Sequence, residues 1–399
     1  MGRLKELKPF VKVYIGLIAA FFLSMVLVYC IPTSWIQGHV ESSLEVMESE
    51  GERPVYAFYR HSAIVDNHTD MLMYQGTIPN KPEYNVVQRA MSVNQYPRYW
   101  HGYMVWLRPL TVIFQVQELR YLGMIGFYLL FFWSAWLIGQ KTNFKNALFY
   151  VLTIASAYLV AVTTCFQYLD TFYILFVSLI VMLSRNRREK PMNLMLFFFV
   201  IGMVENFFDF LTYPILTLGI PMILLLWMRV QDDKADFKDN TCFMVKGSAA
   251  WGLGYALCWM AKWALMVLVL GMKTWEQTMG VVEFRLEGSE EDPLDRWGTI
   301  RRNLKAWLNV QDNGVISWSK IVLVILIVAV ILMIVRKCKD LKTISAYVPM
   351  LFVAAYPYLW YLVMSNHSQI HFWYTYRAQL VTLFGILMFL SCILREKQE

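Results

Sequence analysis

The sequence predicts an all-α integral membrane protein, and two observations support this class. Hydrophobic residues make up 58% of the 399 residues and charged residues only 16%, too apolar a balance for a water-soluble domain of this length. Apolar runs of about 20 residues, long enough for a helix to cross the hydrocarbon of a bilayer, recur along the chain. We therefore expect about ten transmembrane helices in one polytopic membrane domain, residues 1–399.

The apolar runs give the order of the expected spans. They are centred on residues 13–31, 120–139, 146–164, 166–184, 192–208, 211–228, 247–270, 318–335, 345–364 and 376–394. The first run ends at Cys30-Ile31-Pro32, which is no small-residue cleavage site, so we expect it to be retained as a span.

Positive charges orient the predicted spans. Basic clusters occur at Arg3 to Lys12, Lys141 and Lys145, Arg185 to Lys190, Arg229 to Lys246, Arg336 to Lys342, and Arg395 with Lys397. With ten spans all of these fall on one side, which the positive-inside rule makes cytoplasmic. Both chain ends then lie inside a plasma or cytoplasmic membrane. Residues 32–119 and 272–317 become two long extracytoplasmic loops with amphipathic helices.

The first of these loops contains an acidic motif over residues 63–70. Asp66 and Asp70 stand four residues apart, so they lie on one side of a helical turn, with His68 between them. Polar chemistry in a membrane protein marks function more often than packing. We predict Asp66 and Asp70 as catalytic and His68 as substrate-binding, although external loops also collect polar residues for no special reason.

Aromatic and basic residues follow before the chain re-enters the membrane. Tyr99, Trp100 and His101 are adjacent, and Arg108 lies at the expected bilayer surface. Rings can stack on sugar faces, while Arg and His donate hydrogen bonds to hydroxyls or phosphate. All four are predicted to bind substrate. An ordinary interfacial aromatic belt explains Tyr99 and Trp100 equally well.

Further ionisable residues lie at the mouth of the bilayer. Glu205 and Asp209 are four residues apart between two expected spans, where acids are costly unless paired or wetted. Helix capping would explain Asp209 but hardly both. Lys262 lies inside the seventh expected span, where it either snorkels to the surface or completes a phosphate site. All three are predicted to contribute to substrate binding.

A last polar group precedes the final span. His367 and His371 are four residues apart and are followed by Tyr374 and Arg377. The histidine spacing would suit a metal, but no third ligand is evident nearby, so a divalent metal is possible and not favoured. A phosphate held by Arg377 with His371 is the preferred interpretation. We expect no certain cofactor.

The second long loop contains an amphipathic segment over residues 295–309. Its apolar face is formed by Trp297, Ile300, Leu304, Trp307 and Leu308. Such a helix is typical of one lying in the headgroup plane. A simple membrane anchor is preferred over a substrate gate.

Several classes of site are excluded by the sequence. Neither long loop contains a cysteine, so disulfides do not cross-link them. No phosphate-cradling GxxxxGKS loop occurs. The net charge of +7 follows from clusters that face anionic lipid, and nucleic acid is not an expected partner.

This arrangement resembles the GT-C superfamily of polytopic glycosyltransferases, which use polyprenyl-phosphate-linked sugars. The resemblance rests on topology: an acidic first external loop after the first span, many further spans, and a His/Tyr/Arg cluster near the last. It implies a catalytic acid in the first loop, which Asp66 and Asp70 match. The alternatives lie nearer the first span and are His39, Glu41, Glu45 and Glu48.

The resemblance implies transfer of a sugar from a polyprenyl-phosphate donor to a glycan, lipid or protein acceptor of the cell envelope. One carboxylate would take the proton of the acceptor hydroxyl, with inversion at the anomeric carbon. Two other functions stay open. A transporter or flippase of lipid-linked saccharides would place acids and broken helices near the bilayer midplane. A non-catalytic membrane scaffold would need none of the external acids.

Overall fold

The structure is a computed structural model that describes residues 2–56, 62–185, 192–287, 293–308 and 341–393, together with Ile327 and Ile331. Regular structure in these residues is helical. One isolated antiparallel bridge joins Val55 to Ile64.

The helices of the described residues are numbered in chain order. The first ten are α1 (Gly2–Tyr29), α2 (Thr33–Glu50), α3 (Asn67–Gln75), α4 (Val86–Met91), α5 (Met104–Thr111), α6 (Val116–Lys141), α7 (Phe144–Ala155), α8 (Leu159–Thr164), α9 (Phe166–Ser184) and α10 (Leu194–Phe208). The others are α11 (Ile215–Asp232), α12 (Phe237–Leu270), α13 (Lys273–Glu287), α14 (Arg296–Trp307), α15 (Leu341–Tyr347), α16 (Pro349–Ala354), α17 (Tyr356–Val363), α18 (Ser365–Ile370), α19 (Phe372–Thr375) and α20 (Leu380–Ile393). Short 3-10 turns occupy Val93–Gln95 and Tyr376–Gln379.

The all-α membrane class is confirmed. Seven helical segments of the described residues are long and apolar enough to cross a membrane: Leu7–Tyr29, Val116–Lys141, Phe166–Ser184, Ile215–Asp232, Phe237–Leu270, Lys342–Val363 and Phe372–Cys392. Each overlaps one expected span. The count of ten and the orientation stay predictions.

The other three expected spans have different outcomes. The run 192–208 becomes α10, a shorter apolar helix. The run 146–164 is divided into α7 and α8 because Tyr158 adopts a left-handed conformation, with φ of 57°. The run 318–335 lies outside the described residues apart from Ile327 and Ile331.

Two glycines allow α10 and α12 to pack backbone to backbone. A Cβ atom at Gly202 would lie 2.1 Å from the Trp251 carbonyl oxygen, and one at Gly254 would lie 2.1 Å from the Phe199 carbonyl oxygen. Small residues at helix crossings are the usual means of close packing in membranes. This contact fixes the end of α10 that carries Glu205.

A buried ionic network holds the acidic motif against the membrane helices. Arg120 in α6 forms an ion pair with Glu50 at the end of α2, with Nη1 and Oε1 2.9 Å apart. Its Nη2 donates to Asn67 Oδ1 at 2.9 Å, and Asn67 Nδ2 donates to Glu50 Oε2 at 3.0 Å. The start of α3 is therefore fixed relative to both α2 and α6.

Helix α14 is more than the simple anchor that its pattern favoured. Its buried residues are Thr299, Asn303 and Ala306, whereas Trp297 is 77% exposed. Asn303 Nδ2 donates to the Ser368 carbonyl oxygen at 3.0 Å, and its Oδ1 accepts from the Thr375 hydroxyl at 2.7 Å. The helix thus packs its polar face on the histidine-bearing segment, while Ile300, Leu304, Trp307 and Leu308 of its apolar face are half-buried.

Candidate active site

Asp66 and Asp70 occupy the first turn of α3 and have different hydrogen-bond partners. Asp66 is the N-cap, and its Oδ1 accepts from the Thr69 backbone N–H at 3.1 Å. Asp70 accepts from the backbone N–H groups of Phe166 and Gln167, at 2.9 and 3.1 Å. Asp70 therefore satisfies the exposed N–H groups at the start of α9, where the helix dipole also favours a carboxylate.

Asp70 is fully buried, and this dominates its titration. Burial raises the pKa of its carboxyl from an ordinary value of 3.8 to about 7, while Arg120 and the two backbone N–H groups act in the opposite direction. The Cys165 thiol lies 3.5 Å from Oδ1. A carboxylate this enclosed serves mainly to hold α3 on α9.

Asp66 faces residues from distant parts of the chain. It is only 2% exposed and lies within electrostatic range of Tyr168, Tyr374 and Asp70. The rings of Tyr168 and Tyr374 have centroids 5.7 Å apart. The acidic motif of the first loop is thus brought to the polar group that precedes the last span.

That polar group forms a ring stack beside Asp66. His371 stacks on Tyr374 with centroids 5.3 Å apart, and the His367 ring centroid lies 4.7 Å from that of His371. The Tyr374 hydroxyl lies 3.4 Å from His367 Nε2. Within the described ranges, no group of three or more His, Cys, Asp or Glu residues is arranged to hold a metal ion.

Arg377 is a fully buried cation among tyrosines. Its Nε donates to the Ala157 carbonyl oxygen at 3.0 Å and its Nη2 to the Ser62 carbonyl oxygen at 3.3 Å. The guanidinium carbon lies 4.5 Å from the ring centroid of Tyr168, which is within electrostatic range of Asp66. Nη1 has no hydrogen-bond partner among the described residues. A positive charge is therefore held against a ring that interacts electrostatically with the acidic motif.

Glu205 near the end of α10, and Asp209 just after it, add two acids to the cluster. Glu205 Oε1 accepts from the Thr171 hydroxyl at 2.8 Å. Both Asp209 oxygens accept from the Thr212 backbone N–H, at 3.1 and 3.0 Å, so Asp209 does act as a local cap. Burial raises the pKa of Asp209 to about 6 against the hydrogen bonds from Thr212. Asp209 also lies within electrostatic range of Tyr374.

An apolar cavity of about 380 Å³ adjoins this cluster. Its wall includes Phe166, whose N–H binds Asp70, and Asp170, which lies within electrostatic range of Asp70 and Asp209. A second apolar cavity of about 340 Å³ shares Tyr173 and Ile174 with the first and continues along α9. A carboxylate therefore stands at one end of a long apolar groove.

Arg108 is held away from this cluster by backbone carbonyls. Its Nε donates to the Val28 carbonyl oxygen at 2.9 Å, its Nη2 to that of Ile31 at 2.8 Å, and its Nη1 to that of Thr77. The guanidinium also lies 4.4 Å from the Tyr29 ring centroid. These contacts close the C-terminal end of α1, so the structure gives Arg108 a structural role in place of the expected phosphate contact.

Lys262, Trp100 and His68 are likewise outside the cluster. Lys262 is buried, and its Nζ donates to the Met91 carbonyl oxygen at 3.1 Å instead of snorkelling. The Trp100 indole N–H donates to the Cys258 carbonyl oxygen at 3.0 Å. His68 is largely exposed, with its Nδ1 3.7 Å from Glu52 Oε1. All three tie the first loop together or to α12.

Tyr99 and His101 lie at the edge of the cluster. Tyr99 stacks on Trp259 with centroids 6.0 Å apart and meets Phe210 edge-on at 6.1 Å. His101 Nε2 donates to the Tyr96 carbonyl oxygen at 2.9 Å, and burial lowers the pKa of this imidazole to about 3. His101 is therefore neutral at physiological pH and acts in packing.

Sequence reasoning missed several residues of this site. Tyr168 and Cys165 lie within or beside an apolar run and Arg120 lies at the start of another, and none of the three was predicted to contribute to the site. The available signal was the ionisable residue itself inside an apolar run, which is costly in lipid and needs a partner. In comparisons with protein-family models, curated protein sequences and solved structures, none matches this chain.

Proposed function

We propose that the protein is a membrane glycosyltransferase that moves a sugar from a polyprenyl-phosphate-linked donor to an envelope acceptor at the predicted external surface. The observation that supports this proposal is the convergence on Asp66. A buried carboxylate of the first loop lies within electrostatic range of Tyr374, which contacts both His367 and His371. Polar residues about 300 positions apart meet in one cluster, as a catalytic site requires and a scaffold does not.

Asp66 is the better candidate for the general base. Asp70 uses both carboxylate oxygens to hold the start of α9, whereas the hydrogen bond at Asp66 uses only Oδ1. In the proposed step the acceptor hydroxyl oxygen bonds to the anomeric carbon. The carbon–oxygen bond to phosphate breaks, its electron pair leaves with the phosphate, and Asp66 takes the hydroxyl proton.

The leaving phosphate needs positive charge and hydrogen-bond donors nearby. Arg377 supplies the charge, because it is fully buried and forms no ion pair with a carboxylate in the part of the chain that the structure describes. His367, His371 and Tyr374 add donors beside Asp66. Such groups stabilise the charge that develops on the leaving oxygen.

The apolar groove along α9 accommodates the lipid chain of the donor. It extends from Phe166 to Val181, which at the rise of an α-helix is about 22 Å. Because Asp66, Asp70 and Glu205 are at most 2% exposed, donor binding requires the first loop to separate from residues 365–377. Closure of the loop around the substrate would then exclude water from the reaction.

The proposal is tested by purified protein in lipid vesicles with a panel of labelled polyprenyl-phosphate sugars. We expect label to pass from donor to a water-soluble or lipid acceptor, with release of polyprenyl phosphate. A flippase would instead change the accessibility of the intact donor to an impermeant reagent on one side of the vesicle. Movement of intact donor without release of polyprenyl phosphate would reject the enzyme and support the transporter.

A further inference from the structure

A third cavity, polar and about 300 Å³ in volume, lies between the first loop and the helices α12 and α13. The residues that determine its chemistry are Lys81, Tyr84, Ser92, Arg98, Gln277 and Thr278. They supply two cations, hydroxyls and an amide, and no carboxylate is among the lining residues. The cavity is separate from the apolar groove, with which it shares no lining residue.

Arg98 is held firmly in the wall of this cavity. Its guanidinium carbon lies 4.6 Å from the ring centroid of Tyr96 and 4.9 Å from that of Tyr99. Its carbonyl oxygen accepts from the indole N–H groups of Trp259 and Trp263, at 2.9 and 3.1 Å. Nε is buried and has no hydrogen-bond partner among the described residues. A guanidinium fixed in this way loses little entropy when it binds an anion.

Lys81 provides a second positive charge in the lining. Its Nζ donates to the Tyr84 hydroxyl at 3.0 Å and stands 4.7 Å from the centroid of that ring. Neither Lys81 nor Arg98 forms an ion pair in the described part of the chain, although Glu83 lies within electrostatic range of Lys81. Two cations without an ion pair, beside hydroxyls and an amide, favour a ligand that carries both a negative charge and hydroxyl groups.

The cavity adjoins the candidate active site through one residue. Tyr99 follows Arg98 and contacts Phe210, which follows Asp209. Tyr99 also lies within electrostatic range of Tyr374. Tyr99 therefore links the cavity to the residues beside Asp209, and aromatic rings commonly stack on sugars.

We propose that this cavity binds an anionic sugar, one that bears a carboxylate or a phosphate, and that this sugar belongs to the acceptor. Its volume lies at the lower end of small-molecule sites and suits one or two sugar units. The acceptor assignment rests on the proposed function, whereas binding of the anionic sugar does not. The two parts can therefore fail separately.

Binding is tested with the detergent-purified full chain and three probes: glucuronate, glucose 6-phosphate and glucose. Isothermal titration gives the affinity of each probe. We expect at least one anionic probe to bind at least about tenfold more tightly than glucose. The two anionic arms show whether carboxylate or phosphate is preferred. Equal affinity for all three probes would overturn the proposal.

A substitution assigns binding to the cavity. Arg98→Gln should weaken binding of the anionic probe at least about tenfold and leave the affinity for glucose unchanged. Arg98→Lys should retain part of the preference for the anionic probe. Arg301→Gln, an exposed arginine on α14, is the matched control and should bind like the unmodified protein. Elution volume and circular dichroism verify folding. Unchanged affinity in folded Arg98→Gln would reject the site.

Two further outcomes separate the alternatives. Displacement of the anionic probe by vesicles of phosphatidylglycerol at lower concentration than by any sugar would identify a lipid-headgroup site and overturn the proposal. Sugar binding without transfer from any polyprenyl-phosphate donor would reject the proposed function and keep the anionic-sugar site. Sugar transfer by a protein that binds anionic and neutral sugars equally well would keep the proposed function and reject the anionic-sugar site.

Discussion

Arg108 gives a quantitative test of a structural role against a functional one. Three N–H groups of its buried guanidinium bind the carbonyl oxygens of Val28, Ile31 and Thr77. Hydrogen bonds from a charged donor contribute about 1.5–3 kcal/mol each. Arg108→Met removes all three and leaves the carbonyls buried, but it also removes the cost of burying the cation. We expect a net loss of about 4 kcal/mol of unfolding free energy.

The assay is denaturant unfolding of the detergent-purified protein, followed by circular dichroism. Arg108→Lys should recover only part of the loss, because a single ammonium group cannot reach three carbonyls arranged around a planar guanidinium. Arg301→Gln should unfold like the unmodified protein, since this arginine is exposed. Unfolding of Arg108→Met within about 0.5 kcal/mol of the unmodified protein would refute the structural role. Loss of donor binding without loss of stability would restore the phosphate contact.

Three other predictions follow from buried groups and close packing. The pKa of Asp70 is raised from 3.8 to about 7, so the folded protein keeps a proton that the unfolded chain releases, and stability falls as pH rises through this window. The pKa of His101 is lowered from 6.5 to about 3, so the unfolded chain takes up a proton that the folded protein does not, and stability falls as pH falls through that window. Compared with the unmodified protein by thermal unfolding between pH 4 and 6.5, the free energy of unfolding should fall more steeply with pH in His101→Asn and less steeply in Asp70→Asn, by about 1.4 kcal/mol per pH unit; profiles parallel to that of the unmodified protein would contradict both shifts. Ile174→Trp, which narrows the apolar groove, should raise the KM for a polyprenyl donor with little change in kcat, whereas Leu129→Trp, on the exposed face of α6, should change neither. Gly254→Ala should separate α10 from α12 and destabilise the protein by about 2 kcal/mol or more in the same unfolding assay; a neutral effect would show that the backbones are not in contact.

The helical membrane class could be predicted from the sequence because it depends only on the length and apolarity of each run. Seven expected spans match long apolar helices. A helix that crosses the bilayer must present apolar side chains to lipid, and hydropathy detects the same side chains in the sequence. The break at Tyr158 could not be predicted in this way, because it depends on a single left-handed backbone conformation within an apolar run. Boundaries inside apolar segments are set by tertiary packing.

Only part of the candidate site was accessible from the sequence. Asp66 and Tyr374 were predicted to share one site, because both were expected on the same side of the membrane and near its surface. Arg108 and Lys262 carried the same signal, yet they bind backbone carbonyls. A charge near the bilayer surface reveals that it needs partners but not which ones, since carbonyls at a helix end satisfy a cation as well as a phosphate does. Only the three-dimensional structure distinguishes them.

Asp66→Asn is the most direct test of sugar transfer by this cluster. An asparagine at this N-cap still accepts the Thr69 N–H, so α3 should remain folded while the base is lost. Glu283→Gln is the control, because Glu283 is an exposed acid in α13 to which no catalytic role is assigned. With a transferable polyprenyl-phosphate sugar, kcat should fall about 10²–10⁴-fold in Asp66→Asn and stay unchanged in Glu283→Gln. Full transfer by a folded Asp66→Asn variant would contradict the assignment of Asp66 as the base.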